Sequence, residues 1–260
     1  MTQVSGYITR KTMLYKTGVE YGDYAMNHVL GCSHGCEFPC YAFLRKRRFG
    51  LVASYADWLK PYLVRNTFEL LDQEIPRLKN KISSVQLCFS TDPFMFDYDE
   101  VGDVSLASIK KLNEAGIKCV VLTKGLLPSG LADYSTDNEY GITLVSLNES
   151  YRTRIEPGAA SYKDRISALK ALRDKGLKTW VSVEPYPTPN LIEQELGPLL
   201  EAIAFTDKII FGRANYNKAV REYPGHREFY NEQAKKVASF CAERGLKFHI
   251  KEGTISAYGK

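Results

Sequence analysis

Three cysteines, Cys32, Cys36 and Cys40, recur at intervals of four in the stretch Gly31-Cys32-Ser33-His34-Gly35-Cys36-Glu37-Phe38-Pro39-Cys40-Tyr41-Ala42. Pro39 keeps this run from closing into a regular helix, so the thiols can converge in one loop. Three convergent thiolates suit a soft metal or an iron–sulfur cluster. A structural zinc site usually takes four ligands, often as two cysteine pairs from separate segments. No second pair exists here, because Cys88, Cys119 and Cys241 stand alone in apolar runs. The fourth position is therefore open or filled by His28 or His34. Three unbound cysteines are the remaining alternative. Such a distribution is a poor disulfide framework and fits a reducing compartment.

From about residue 80 onward, short β-branched runs alternate with longer amphipathic ones. Strands are predicted over 84–90, 117–123, 141–147, 178–183, 208–211 and 247–250. Helices are predicted over 104–115, 161–175, 191–205 and 227–244, with a short one over 126–134. Gly116, Gly176 and Gly245 end three of them directly before a strand, where a left-handed C-cap is needed. Upstream, 23–31 supplies a first strand and 54–78 a long first helix. The alternation implies an α/β fold, and six or seven βα units are too few for a closed eightfold barrel. A partial, open (βα)6 TIM-like barrel is expected, in a single domain over 1–260. The cysteine loop occupies 31–42 and the barrel about 24–251. Chemistry in such folds sits at the C-terminal ends of the strands.

The chain has 260 residues, 44% hydrophobic and 25% charged, which excludes disordered and fibrous classes. Its net charge is +5, and four positive charges sit side by side at Arg45, Lys46, Arg47 and Arg48. No run reaches the roughly 18–20 apolar residues of a membrane helix. The first residues lack the apolar core of a signal peptide. A cytoplasmic protein with no membrane partner is expected.

These features resemble the radical SAM superfamily, and within it the spore photoproduct lyase-like group. The resemblance rests first on the cysteine loop, with Phe38 ahead of its last cysteine. It continues through Cys40-Tyr41-Ala42 with the basic stretch behind it, and through Asn66 with Leu70-Leu71. Ser90-Thr91-Asp92-Pro93-Phe94, followed by Asp97, Asp99 and Glu100, and Leu122-Thr123-Lys124 match further loops of the group. So do Val145-Ser146-Leu147 and Ile155-Glu156-Pro157-Gly158 with Asp164-Arg165, extending the similarity over about residues 25–190. Members typically carry Cys-x3-Cys-x2-Cys, whereas this chain reads Cys-x3-Cys-x3-Cys. The resemblance implies a [4Fe–4S] cluster on Cys32, Cys36 and Cys40, with one iron left without a protein ligand. That iron would chelate S-adenosylmethionine (SAM), whose reductive cleavage yields a 5′-deoxyadenosyl radical that abstracts hydrogen from a substrate. An electron donor such as flavodoxin or ferredoxin is implied as well.

By the same resemblance, Tyr41, Ser90, Asp92, Lys124, Ser146, Asn148, Arg165 and Glu184 are candidates to bind SAM. Plainer alternatives stand beside them. Tyr41 can pack beneath the loop, Ser90 and Asp92 can cap a helix or turn, Lys124 can be solvated, and Arg165 can pair with Glu156. Glu184 ends a strand and can meet either the ribose or the substrate. The group's hydrogen-atom-donating cysteine stands three residues before the loop aspartate, a position held here by Phe89. Cys88 is one residue off, on the other face of a strand, so it is expected in the core, as are Cys119 and Cys241. Arg45, Lys46, Arg47 and Arg48 fit phosphate binding, which makes a nucleic acid the first substrate expected, for repair or modification. The rival readings are a solvated basic face, a small-molecule or peptide substrate, and a non-catalytic metal-binding module that binds nucleic acid.

Overall fold

Strands of a parallel sheet are buried on both faces and therefore read as continuous apolar runs. The runs found from residue 84 onward join residues 24–26 and a short edge strand at 15–16 in one eight-stranded sheet. The structure, a computed structural model, describes residues 2–256. Its strands are β1 Gly6–Ile8, β2 Tyr15–Lys16, β3 Tyr24–Met26, β4 Val29–Leu30, β5 Tyr62–Val64, β6 Ser84–Leu87, β7 Lys118–Thr123, β8 Glu139–Thr143, β9 Lys178–Tyr186, β10 Lys208–Arg213 and β11 Lys247–Ile250. Its helices are α1 Tyr41–Arg48, α2 Tyr55–Trp58, α3 Thr67–Leu78, α4 Asp99–Glu114, α5 Glu149–Ile155, α6 Tyr162–Asp174, α7 Leu196–Ala202, α8 Lys218–Glu222 and α9 His226–Arg244.

Strands β3, β6, β7, β8, β9, β10 and β11 run parallel in that spatial order, and β2 adds an antiparallel edge beside β3. Helices α4, α6 and α9 pack against them. The expected partial barrel is present, with β11 as a seventh parallel strand. Among the described residues its two edges do not pair with each other. The segment before β3 crosses the seam instead: Glu20 meets His249 Nε2 at 2.7 Å and accepts the Glu252 N–H at 3.1 Å. Tyr21 sets its ring edge-on to both His249 and Trp180.

Side chains alternate along each strand, so every second residue points into the barrel. Val120, Trp180 and Ile210 fill its middle. Gly141 leaves room for the indole, because a Cβ there would lie 2.4 Å from the Trp180 ring. On the same inward faces Glu139 binds Lys208 at 2.5 Å and Lys118 at 3.5 Å. Farther along the strands the inward positions become Thr143, Ser182 and Glu184, and there a cavity opens.

Four expectations need correction. The long helix over 54–78 is broken into α2, β5 and α3. Pro61 has no N–H and pushes Lys60 out of helical conformation, and residues 62–64 pair instead with β1 and β4 in a separate three-stranded sheet. The first strand over 23–31 is likewise split between the two sheets as β3 and β4. The short helix over 126–134 is a 3-10 turn at Ser129–Asp133, and the helix over 191–205 contracts to α7.

Candidate active site

The cysteine loop leaves β4 and ends at Cys40, the N-cap of α1. Backbone and side-chain hydrogen bonds fix it from four directions. The Cys32 N–H donates to the Trp58 carbonyl at 2.8 Å and the Glu37 N–H to the Ile155 carbonyl at 2.8 Å. Tyr55 Oη donates to the Cys36 carbonyl at 2.7 Å, and Asn217 Nδ2 to the Phe38 carbonyl at 2.6 Å. The extra residue between Cys36 and Cys40 is thus carried in a turn with its own partners. All three thiols are free and face one cavity of about 300 Å³.

The donor set discriminates between metals. Among the described residues no three His, Cys, Asp or Glu side chains gather closely enough to hold a single metal ion. A zinc ion would need them gathered at bonds of ~2.0–2.3 Å, whereas a cubane cluster spreads three ligand sulfurs around a larger body. The histidines suggested as a fourth zinc ligand are engaged elsewhere. His28 lies 3.3 Å from Cys88 Sγ through Nδ1 and 3.0 Å from Ser105 Oγ through Nε2. His34 Nε2 accepts the Phe96 N–H at 3.2 Å, which leaves Nδ1 protonated and 3.4 Å from Asp92 Oδ2. A cluster of three thiolates with one uncommitted position fits this loop better than zinc.

Beside Cys36 lies a buried chain of charges. Lys124, just past β7, places Nζ 3.2 Å from Cys36 Sγ and 2.8 Å from Glu156 Oε2. Arg165, opening α6, closes on Glu156 Oε1 at 2.7 Å and donates to the carbonyls of Ala160 and Thr143. Burial opposes charge on both Lys124 and Glu156. It is outweighed by their mutual attraction, with Cys36 adding to the first and Arg165 to the second, so the lysine titrates above its usual range and the glutamate below. Burial pushes the Cys36 thiol up to about 11 despite Lys124.

Asp92 is bound on both oxygens: Oδ1 accepts from Phe94 N at 2.9 Å and Thr123 Oγ1 at 2.6 Å, Oδ2 from Lys124 N at 2.8 Å. Burial still raises its pKa to about 6. It therefore braces the loops after β6 and β7 while also lining the cavity.

Of the residues singled out from sequence, Tyr41, Ser90, Asp92, Lys124 and Glu184 line the cavity with the three cysteines. Tyr41 donates to the Phe89 carbonyl at 2.6 Å, and Ser90 to Asn27 Oδ1 at 2.9 Å. Glu184 pairs with Lys251 at 2.9 Å, and burial raises its pKa against that partner. Ser146, Asn148 and Arg165 are not on the wall. Strand β8 ends at Thr143 rather than 147, so Ser146 lies beyond it, fully buried, with its hydroxyl on Gln194 Oε1 at 2.6 Å. Asn148 caps α5 by accepting the Tyr151 N–H. Arg165 is fully buried against Glu156.

Cys119 and Cys241 are core. Cys88 packs in the core too, but the strand argument does not describe it. Strand β6 ends at Leu87 and Cys88 adopts φ +48°, so the alternation stops and its side chain reaches the cavity wall. Thr143, Ser182, Arg213, Asn215, Tyr216 and Lys251 also line the cavity, though none of them stands out as a candidate in the sequence. Their signal was only their place at strand ends.

Residues 26–203, more than half of the chain, match the family model of the radical SAM superfamily. This chain belongs to that superfamily. Its members are enzymes that use a [4Fe–4S] cluster and SAM. An uncharacterized protein of Methanocaldococcus jannaschii is 27% identical over 225 residues, covering 85% of this chain and 81% of its own. An uncharacterized protein of Acidianus two-tailed virus is 26% identical over 196 residues, 72% of this chain, and the match spans 64% of the viral protein's length. Spore photoproduct lyase complexed with dinucleoside spore photoproduct superposes with a TM-score of 0.68 at 14% identity, covering 94% of this chain and 80% of that one. SuiB of Streptococcus suis bound to SAM gives 0.58 at 15% identity, covering 87% and 49%. These structures share the fold of the present chain. Among the described residues, no helix is long and apolar enough to cross a membrane.

Proposed function

We propose that Cys32, Cys36 and Cys40 hold a [4Fe–4S] cluster and that the cavity beside them binds SAM and acts on a nucleic acid. The observation that carries this reading is the convergence of three free thiols on one cavity whose wall also holds Lys124, Asp92 and Glu184. When bound, the cluster and SAM supply reductive sulfonium cleavage and a 5′-deoxyadenosyl radical able to abstract hydrogen. The chain's own residues position and shield. Lys124, kept cationic by Glu156, presents an ammonium beside Cys36 where a carboxylate can dock. Ser90 and Asp92 stand for the methionine end of SAM, Tyr41 for its nucleoside, and Glu184 for the side that meets the substrate. Tyr21, Phe38, Trp58 and Phe89 line the cavity and exclude water, protecting a reactive species from quenching.

A nucleic-acid substrate is supported by α1, which follows directly on Cys40 and carries Arg45, Lys46, Arg47 and Arg48. None of the four has a carboxylate within ion-pair distance among the described residues. Unpaired cations leading away from the cavity suit a phosphate backbone. An electron donor of the flavodoxin or ferredoxin type would reduce the cluster.

Anaerobic reconstitution tests the cluster directly. About four irons and four sulfides per chain are expected, with a brown chromophore. Cys36→Ala should lose most of both while its far-ultraviolet circular dichroism stays unchanged. Full iron loading of that variant, or a colourless zinc-loaded wild type, would overturn the reading.

A further inference from the structure

Three cations line the cavity: Lys124, Lys251 and Arg213. Lys124 is held by Glu156 and Cys36, and Lys251 by Glu184. Arg213, the last residue of β10, has no carboxylate partner among the described residues. Its Nε donates to Asn215 Oδ1 at 2.9 Å, which aims the guanidinium without neutralising it. A half-buried guanidinium with its charge uncompensated is unfavourable unless an anion completes it.

The backbone beyond Arg213 is held at both ends. The Ala214 N–H donates to Tyr230 Oη at 3.1 Å, and Tyr230 in turn donates to the Tyr186 carbonyl at 2.8 Å. At the far end Asn217 binds the Phe38 carbonyl of the cysteine loop at 2.6 Å and caps α8. Between these anchors Tyr216 adopts φ +64°, a conformation that a bulky side chain rarely takes, and it is 66% exposed while still lining the cavity. The strain holds an aromatic ring at the mouth, where it shields no core.

We propose that Arg213 and Tyr216 form the substrate-recognition element of this cavity, Arg213 taking a phosphodiester and Tyr216 stacking on the adjoining base. The pairing rests on the nucleic-acid reading above and deepens it. A guanidinium matches the two free oxygens of a phosphodiester in bidentate fashion, and a rim tyrosine offers the flat face that any base can stack on. A nucleotide supplies both features at the spacing of one residue, whereas a lone carboxylate would leave the Tyr216 ring unused.

The test uses the reconstituted holoprotein with SAM and two ligands, thymidylyl-thymidine and its uncharged methylphosphonate analogue. The wild type should bind the phosphodiester ~10-fold more tightly than the neutral analogue, the usual size of one charge-assisted contact. Arg213→Gln should abolish that preference, and Arg213→Lys should restore part of it. Tyr216→Ala, an exposed change that leaves the core untouched, should weaken both ligands several-fold without altering their ratio. Equal binding of the two ligands by the wild type, or an undiminished preference in Arg213→Gln, overturns the proposal. So does weakened SAM binding in Arg213→Gln with the ligand preference intact, which would assign the guanidinium to SAM. Release of 5′-deoxyadenosine by the wild type reports separately on the radical SAM reading. Its absence alongside a phosphate-dependent preference would sink that reading and leave the recognition element standing.

Discussion

Lys124, beside the cysteines, has Glu156 at 2.8 Å and Cys36 at 3.2 Å, with Arg165 fully buried behind. Arg213, on another part of the same wall, has a single neutral partner in Asn215. The same contrast runs through the surroundings. Asp92 has both oxygens bound, and backbone carbonyls of the cysteine loop accept from Tyr55 and Asn217. Around Glu184, Lys251 and Tyr216 the groups are partly exposed and only partly committed. The region that would hold the cofactors has its charges balanced before anything binds. The region that would meet the substrate keeps a charge and a ring free. Preorganisation is expected where geometry must be held closely, and uncommitted polarity where a ligand must be chosen.

Substitutions in the two regions should therefore differ in kind. Glu156→Gln leaves Arg165 and Lys124 cationic in a dry site, so a stability loss of ~3–5 kcal/mol is expected from denaturant unfolding. Glu184→Gln removes a partly exposed pair and should cost only ~1 kcal/mol. Equal losses would erase the distinction between the two walls. Neutralising Arg45, Lys46, Arg47 and Arg48 together should leave stability nearly unchanged. It should flatten the salt dependence of single-stranded oligonucleotide binding by ~0.7 in log–log slope for each phosphate that the protein no longer neutralises. An unchanged slope would move the substrate toward a small molecule or peptide.

The smallest effect belongs to the barrel seam. Burial opposes charge on Glu20, but the Glu252 N–H and His249 outweigh it and hold the carboxyl below the usual glutamate range. A folded pKa below the unfolded one stabilises the protein above the unfolded value, and the gain disappears as pH falls through the folded one. Glu20→Gln should thus cost ~0.5 kcal/mol while the carboxylate is charged and almost nothing once pH has fallen below its folded pKa. A loss that persisted with the carboxyl fully protonated would contradict this picture of the seam.

Much of the site can be read from the residues in order. Cysteines at fixed spacing carry their chemistry in their type, and Asp92, Lys124 and Glu184 follow predicted strands closely enough to be placed at the catalytic end. Ser146 misses the wall because β8 begins and ends earlier than its apolar run implies. Residues 54–78 resemble one helix because nothing local reveals that 62–64 pair with 6–8 and 29–30. Arg213 is invisible in the sequence for a similar reason. An arginine is ordinarily solvated or paired, and what distinguishes this one is the lack of a carboxylate in three dimensions. Tyr216 is marked by a backbone angle, which no composition encodes. Cys88 shows the same limit, since the positive φ that turns it to the cavity lies outside any strand rule.

The central claim is that the three cysteines and the wall beside them support reductive cleavage of SAM. The most direct measurement is anaerobic incubation of the reconstituted wild type with SAM and dithionite, followed by chromatographic quantification of 5′-deoxyadenosine. The account predicts 5′-deoxyadenosine and methionine in equal amounts, and neither from Cys36→Ala. A folded, fully iron-loaded wild type that releases neither product would contradict it.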